Sequence, residues 1–119
     1  MNIDMLIGGT PTRSIDNEQF ERKNPVSGEV VTTAPAAKSA DVDRAVKAAA
    51  SAFKTWSKTG PSERRAILLK VAEEFQAAVS DFMQTAAQET GATKVWLGFN
   101  VKVASGMIRE AAAMTTQLK

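Results

Sequence analysis

The sequence contains no cysteine and no histidine among its 119 residues. Without cysteine, the chain itself can form neither disulfides nor thiolate metal sites, and it has no thiol nucleophile. Without histidine, it lacks the side chain that proteins use most often as a general base and as a zinc ligand. The residues of this chain therefore provide no cysteine-based or histidine-based catalytic site.

The chain also lacks an excess of charge of one sign. Its 15 Lys and Arg residues and 13 Asp and Glu residues give a net charge of +2, and the two signs are interspersed along the sequence. Nucleic-acid binding favours a one-sided cationic face. We therefore expect no nucleic-acid partner.

Long hydrophobic runs are absent as well. The apolar segments of the C-terminal third are broken by Lys94, Lys102 and Arg109, and none approaches the roughly 20 residues that a bilayer span needs. At the N-terminus, Asp4 stands where a secretory signal requires basic residues, and the apolar run Met5–Ile7 is too short for such a signal. We expect no membrane segment and a cytoplasmic location.

The length fits one soluble domain or a part of one. In residues 1–38, glycine and proline interrupt every potential helix, which predicts short strands joined by turns. The candidate strands are Met5–Ile7, the segment around Phe20, and the β-branched segment Glu29–Thr33.

Residues 39–119 have helical periodicity and predict three helices. The first begins at an N-cap at Ser39. The second begins at Pro61, since proline is favoured at the first helical position, and it runs without a break to a C-cap at Gly91. The third follows from near Thr93 and continues toward the end of the chain.

Each predicted helix carries an apolar stripe on one face. The stripe of the first helix comprises Val42, Val46, Ala49, Phe53 and Trp56. The stripe of the second comprises Leu68, Val71, Ala72, Phe75, Val79, Phe82, Met83 and Ala86. The stripe of the third comprises Trp96, Phe99, Asn100, Val103, Met107, Ala111 and Met114.

The stripe of the third helix allows two interpretations. Large apolar residues at helical spacing usually form a core. However, Asn100 places an amide within the stripe, and Gly98 and Gly106 interrupt the same helix. An aromatic side chain, an amide and small residues on one face also suit the wall of a pocket for a flat ligand with polar substituents.

Two further motifs are weak candidates for sites. Gly8–Thr10 could suggest a phosphate-binding loop, but it lacks the Gly-Lys-Ser/Thr ending and a following helix, so a hairpin turn is favoured. The carboxylates of Glu73, Glu74, Asp81 and Glu89 do not converge with a histidine, and they are typical of a solvated helix face. We predict no catalytic residue and no metal site in this chain.

In its order of motifs, the chain resembles the N-terminal portion of the aldehyde dehydrogenase superfamily over essentially all of its length. The resemblance is carried by Leu6–Gly9, Asn24–Val31, Ala40–Val46, Ala52–Trp56, Pro61–Arg65, Leu68, Leu69 and Glu89–Gly91. The last third is similar to the branch that oxidises ring-bearing aldehydes such as salicylaldehyde and vanillin. This narrower similarity is carried by Gly91-Ala92, Trp96, Gly98–Asn100 and Arg109–Ala112.

The resemblance implies an α/β parent fold with a Rossmann-like cofactor domain. Residues 1–119 would be the N-terminal segment of that domain, with strands and turns in 1–38 and three helices in 39–119. It also implies oxidation of an aldehyde to its acid with NAD or NADP, by a Cys nucleophile, an oxyanion-stabilising Asn and a Glu that activates water. In the family these groups and the dinucleotide-binding segments lie beyond the position of Lys119, so no catalytic or cofactor-binding residue is assigned here.

The family's substrate channel is lined by the helix that corresponds to the third predicted helix. The lining positions match Asn100 and Ala104, and Trp96 and Met107 lie one turn away on the same face. The resemblance thus implies that Trp96 stacks on the ring of an aromatic aldehyde, that Asn100 binds a ring substituent, and that Ala104 leaves space.

As the N-terminal part of such an enzyme, the chain would have the remainder of the enzyme and a small aromatic aldehyde as partners, and the parent would be a homo-oligomer. Alone, the chain is predicted to be inactive and to associate through its apolar helix faces. The alternative is a free-standing helical interaction module without enzymatic activity, which would bind a partner through its exposed stripe.

Overall fold

The computed structural model describes residues 1–117, which form two compact units, Met1–Lys58 and the chain from Thr59 onward. The first unit contains all the strands and one helix, and the second contains three helices. This arrangement confirms the prediction of a mostly helical segment with short N-terminal strands. No helix within the described residues is both long enough and apolar enough to cross a bilayer.

The first unit opens with a small antiparallel hairpin of β1 (Met5–Ile7) and β2 (Thr10–Thr12). Gly8 and Gly9 connect the strands with φ angles of 61° and 79°. Two successive positive φ angles are typical of a two-residue hairpin turn, and glycine adopts them without strain. The turn leads into a strand and not into a helix, which confirms the hairpin interpretation over the phosphate loop.

A second antiparallel hairpin pairs β3 (Gln19–Lys23) with β4 (Val30–Pro35). The turn between them is closed by Asn24, whose side-chain Oδ1 accepts a hydrogen bond from Val26 N at 2.8 Å. The strand around Phe20 is therefore confirmed. The other predicted strand is present but begins one residue later than Glu29 and extends to Pro35.

Helix α1 spans Ser39–Trp56 and follows β4 after a short connection. Its N-cap is Lys38 and not Ser39, so the predicted cap was wrong by one residue. The reason is that Asp41, at the third helical position, accepts a hydrogen bond from the backbone N–H of Lys38 at 3.1 Å. The carboxylate in the first turn caps the helix without a hydroxyl at the start.

The second unit consists of α2 (Pro61–Ala77), α3 (Val79–Thr90) and α4 (Lys94–Met114). The prediction of one unbroken helix from Pro61 to Gly91 was wrong, because Ala78 leaves helical geometry with φ −90° and ψ 8°. Hydrogen bonding nevertheless continues on both sides, from Ala78 N to Glu74 O at 3.0 Å and from Phe82 N to Ala78 O at 3.1 Å. The change of direction thus leaves the apolar periodicity almost intact.

The junction of α3 and α4 agrees with the sequence signals. Gly91 ends α3 in the left-handed conformation with φ 69°, the backbone state that glycine adopts most readily at a helix C-terminus. Thr93 is the N-cap of α4, and its hydroxyl oxygen accepts a hydrogen bond from Trp96 N at 3.4 Å. Both helix boundaries were therefore predicted correctly.

The core of the second unit lies between α4 and the two preceding helices. Helix α4 packs mainly on α2 and less extensively on α3. The buried residues at these contacts are small or aliphatic: Ala72 of α2, and Leu97, Ser105 and Ala112 of α4. Small side chains allow close helix approach, which leaves the larger side chains of α4 elsewhere on its surface.

Candidate functional site

Helix α4 has two faces that differ in burial. The face toward α2 and α3 includes the buried residues Leu97, Ser105 and Ala112. The opposite face carries most of the predicted stripe, including Trp96, Phe99 and Met107, and these side chains are exposed. Within the part of the chain that the structure describes, this stripe is therefore open, and both interpretations of it stay predictions. The second interpretation, a pocket wall, is compatible with this exposure.

The predicted site residues are not equally placed on that face. Trp96 is 58% exposed and Met107 is 68% exposed, and Asn100 between them is also exposed. Ala104 is half-buried, so it lies at the edge of the packed face. The structure thus brings Trp96, Asn100 and Met107 together on one open surface, with the small Ala104 beside it.

Two aromatic rings on this face are stacked. The ring centroids of Trp96 and Phe99 are 5.8 Å apart, and their planes are inclined by 28°. This distance and tilt lie in the range that aromatic pairs favour. The indole is therefore part of a pair of rings and does not stand alone.

The amide of Asn100 is tied to the helix backbone. Its Nδ2 donates a hydrogen bond to the carbonyl oxygen of Trp96 at 2.8 Å. An amide that uses its nitrogen in this way presents its Oδ1 as an acceptor for a further group. This arrangement suits a ligand that carries a hydroxyl donor.

The two glycines of α4 have different surroundings. A Cβ atom built on Gly98 would lie 4.0 Å from Cε of Met83 in α3, so Gly98 lies where the two helices approach each other. A Cβ atom on Gly106 would meet nothing within 4 Å among the described residues. Nothing in this structure explains glycine at the second position.

The other sequence candidates do not form a site. Glu73, Glu74 and Asp81 are exposed, and Glu89 is half-buried. Among residues 1–117, no group of three or more acidic residues is close enough together to hold a metal ion. The carboxylates therefore add no chemistry to the aromatic face of α4.

One cluster that the sequence reasoning missed lies at the start of α1. The carboxylate of Asp41 is 1% exposed. It accepts hydrogen bonds from Ile15 N at 3.1 Å and Lys38 N at 3.1 Å, and it contacts Arg44 Nη1 at 3.3 Å. The only signal in the sequence was an acid in the first turn of a helix, which did not indicate a contact with a residue 26 positions away.

Exposed charges surround this cluster. Lys38 Nζ lies 2.6 Å from a carboxylate oxygen of Glu18 and 3.7 Å from one of Asp16. The hydrogen bond to Glu18 raises the pKa of Lys38 above its ordinary value. The backbone N–H of Glu18, which donates to Asp16, lowers the pKa of Asp16. These contacts join the segment before β3 to the beginning of α1, and their role is structural.

A concave, mainly apolar surface in the second unit lies where α2 meets α3. It encloses about 480 Å³ and is lined by Ile67, Lys70, Val71, Glu74, Phe75 and Phe82. The rings of Phe75 and Phe82 contact each other across the helix break, with centroids 4.7 Å apart. The exposed surface of this lining is mainly apolar, although Lys70 and Glu74 belong to it.

Residues 12–119 match the Aldehyde dehydrogenase family. The chain belongs to this family. The resemblance predicted from the sequence is therefore confirmed, and the fold shares its elements with aldehyde dehydrogenases of known structure.

Individual relatives agree with the aromatic branch of the family. The chain is 49% identical over 118 residues to a vanillin dehydrogenase of Pseudomonas fluorescens, with 99% of this chain and 24% of that protein covered. It is 42% identical over 119 residues to a salicylaldehyde dehydrogenase of Pseudomonas putida, with 100% of this chain and 25% of that protein covered. The chain thus spans about a quarter of the length of these relatives.

Solved structures of aldehyde dehydrogenases are also similar to this chain. A salicylaldehyde dehydrogenase from Pseudomonas putida G7 complexed with salicylaldehyde superposes with a TM-score of 0.95 at 44% identity, covering 98% of this chain and 24% of that one. An NAD-dependent aldehyde dehydrogenase from Sinorhizobium meliloti superposes with a TM-score of 0.96 at 26% identity, covering 100% and 24%. The two hairpins and four helices described here therefore form part of the aldehyde dehydrogenase fold.

Aldehyde dehydrogenases generally depend on NAD or NADP, but the described residues do not fit a dinucleotide. Both sheets in this part of the chain are two-stranded and antiparallel. The glycine pair at Gly8 and Gly9 turns between two strands and does not precede a helix N-terminus, where a phosphate is usually held. The hairpins and the glycine turn of residues 1–117 thus do not match a dinucleotide-binding motif.

Proposed function

We propose that this chain acts as the N-terminal part of an aldehyde dehydrogenase that oxidises an aromatic aldehyde to its carboxylic acid. The observation that carries the proposal is the exposed face of α4, which joins two stacked aromatic rings to an oriented amide. The relatives named for vanillin and salicylaldehyde support an aromatic substrate. The family resemblance also supports a position of the same helix beside the substrate channel.

On this face each residue has a distinct role. Trp96 offers an aromatic ring on which a substrate ring can stack. Asn100 Oδ1 accepts a hydrogen bond from a hydroxyl on that ring, while one N–H of its Nδ2 stays bonded to the carbonyl oxygen of Trp96. Ala104 leaves room for the ring, and the flexible Met107 packs against its far edge. The face binds and orients the aldehyde, while the reacting groups come from other parts of the enzyme.

The nucleophile and the cofactor site belong to the rest of the enzyme. The chain has no cysteine, and its described residues do not fit a dinucleotide. In the proposed enzyme, NAD or NADP and the catalytic residues are held by segments beyond Lys119. The chain alone is thus an incomplete catalyst.

The proposed partners are the remainder of the enzyme and a second copy of the whole enzyme in a homo-oligomer. Large apolar side chains are exposed on α1 and on α4, including Phe53 at 64%. Contiguous apolar surface of this kind usually contacts further protein. The mass of the natural polypeptide, or the gene sequence beyond the codon for Lys119, distinguishes a longer enzyme from a free-standing interaction module.

The substitution Trp96→Ala in the full-length enzyme tests the proposed substrate role. We expect the KM for hydroxylated benzaldehydes to rise about tenfold or more, since the stacked ring is lost, whereas the KM for short aliphatic aldehydes changes much less. Steady-state formation of NADH or NADPH with both substrate series measures the effect. Equal changes for the two series would contradict the proposal and indicate a structural role for Trp96.

A further inference from the structure

The stacked pair on α4 has a feature that the substrate role of Trp96 does not explain. Phe99 lies three residues after Trp96, and it is 57% exposed although its ring contacts the indole. Within the described residues, Phe99 lies on the same open face of α4 as Trp96.

The backbone of Trp96 is held on both sides. Its N–H donates to the hydroxyl oxygen of Thr93 at 3.4 Å, and its carbonyl oxygen accepts from Asn100 Nδ2 at 2.8 Å. These bonds fix the main chain but leave the side-chain torsions of the indole free. Among the described residues, Phe99 is the aromatic side chain that pairs with the indole and so restricts those torsions.

We propose that Phe99 is a positioning residue that holds the Trp96 indole in the orientation that accepts a flat substrate ring. The inference rests on the proposed function, since it assigns Phe99 to the same substrate face. A fixed indole plane stacks with an aromatic ring through favourable electrostatic and dispersion contacts. A saturated ring of the same carbon skeleton is puckered and cannot make the same contact, so the pair selects planar aldehydes over non-planar ones of equal size.

The test compares benzaldehyde with cyclohexanecarbaldehyde in the full-length enzyme. We expect Phe99→Leu to lower the preference for benzaldehyde, measured as the ratio of the two kcat/KM values, by about three- to tenfold. The lower kcat/KM for benzaldehyde should come from a higher KM, with kcat changed by less than about twofold. Phe99→Tyr keeps the ring and should keep the preference. Phe99→Met keeps much of the side-chain volume but has no planar ring, so it should lower the preference as Phe99→Leu does.

Phe82→Leu is the matched control, because it removes one ring from the other aromatic pair, whose centroids are 4.7 Å apart in α2 and α3. It lowers stability without a change in the ratio of kcat/KM values. The double variant of Trp96→Ala and Phe99→Leu completes a thermodynamic cycle. If Phe99 acts through the indole, the double variant has the same preference as Trp96→Ala alone.

Four outcomes would overturn the inference. Phe99→Leu could lower kcat/KM equally for both substrates, as a structural role predicts. It could reduce the preference by the same factor when Trp96 is already alanine, which would show that Phe99 does not act through the indole. If Trp96→Ala changes the preference for benzaldehyde but Phe99→Leu and Phe99→Met do not, this inference is wrong while the proposed function stands. If Trp96→Ala changes nothing, the proposed function fails with it.

Discussion

Asp41 shows how a single side chain connects distant parts of the first unit. Its carboxylate is almost completely buried and accepts hydrogen bonds from Ile15 N and from Lys38 N. Arg44 Nη1 compensates part of its charge at 3.3 Å. A buried carboxylate with these donors holds the segment before β3 against the first turn of α1.

Replacing this carboxylate should destabilise the protein. We expect Asp41→Ala to lower the free energy of unfolding by about 2–3 kcal/mol, because it removes a helix cap and the shared acceptor of the Ile15 and Lys38 N–H groups. Urea denaturation of the purified protein measures the change. Asp43→Ala is the control, because Asp43 is an exposed acid on the same helix, and it should change stability by less than about 0.5 kcal/mol. Equal losses for both variants would contradict the capping role.

Lys38 and Asp16 make the stability of the same region dependent on pH. Its pKa is raised above the ordinary 10.5 by the hydrogen bond to Glu18, so its contribution to stability is fully present below 10.5 and is lost as the pH rises through the raised value. The pKa of Asp16 is lowered below the ordinary 3.8, so its contribution is present above 3.8 and is lost as the pH falls through the lowered value.

We therefore expect Lys38→Met to lower the melting temperature by a small and constant amount between about pH 5 and pH 9. The difference from the unsubstituted protein should shrink above pH 10.5, and high salt should reduce it because these groups are exposed. Melting curves recorded across this pH range with low and high salt provide the measurement. A difference that grows in alkali would show that Lys38 stabilises the fold by some means other than its charge.

At the scale of the elements, substitution of two glycines of the second unit, Gly91 and Gly106, should change stability in opposite directions. Gly91 ends α3 at φ 69°, where an L side chain is strained, so Gly91→Ala should destabilise by about 1 kcal/mol. Gly106 lies within α4, and no atom of the described residues lies within 4 Å of its Cβ position, so Gly106→Ala should stabilise by about 0.5–1 kcal/mol. Urea denaturation of the two variants checks both signs. Destabilisation by Gly106→Ala would show that a further segment of protein approaches α4 there.

The elements were predictable where the sequence carries local signals. The hairpin at Gly8 and Gly9, the C-cap at Gly91 and the N-cap at Thr93 all follow from backbone preferences of single residues. The break at Ala78 was not predictable, because neither glycine nor proline marks it and the hydrogen bonds continue on both sides. The break therefore has no local sequence signal.

The packed face of α4 could not be predicted from the sequence for a different reason. The hydrophobic pattern emphasises the large residues Trp96, Phe99 and Met107, which are exposed here. The face that packs on α2 and α3 includes Ser105 and Ala112, whose small side chains carry a weak hydrophobic signal. The sequence could thus locate the candidate site on α4, but it could not show which face packs, because helix approach depends on small size as much as on hydrophobicity.

At the scale of the whole molecule, the exposed apolar faces of the helices have a direct consequence. The stripe predicted for α1 is present, but Val42, Val46 and Phe53 remain exposed, as does Trp96 on α4. Together with the match to about a quarter of each relative, this exposure fits a segment whose helices contact further parts of an aldehyde dehydrogenase. Burial of such surface is the main favourable contribution to association.

The 119-residue chain produced alone should therefore be inactive and self-associating. We expect no formation of NADH or NADPH with hydroxylated benzaldehydes, because the chain lacks a cysteine nucleophile.

Sedimentation should show species larger than the 12.7 kDa monomer. The substitution Phe53→Asp should shift them toward the monomer, because it places a charge on the apolar stripe of α1. Asp43→Asn, a substitution at an exposed acid of the same helix, should leave the distribution unchanged. A monodisperse, stable monomer of the unsubstituted chain would mean that its helices need no further protein to cover them, which would favour the free-standing interaction module over the enzyme.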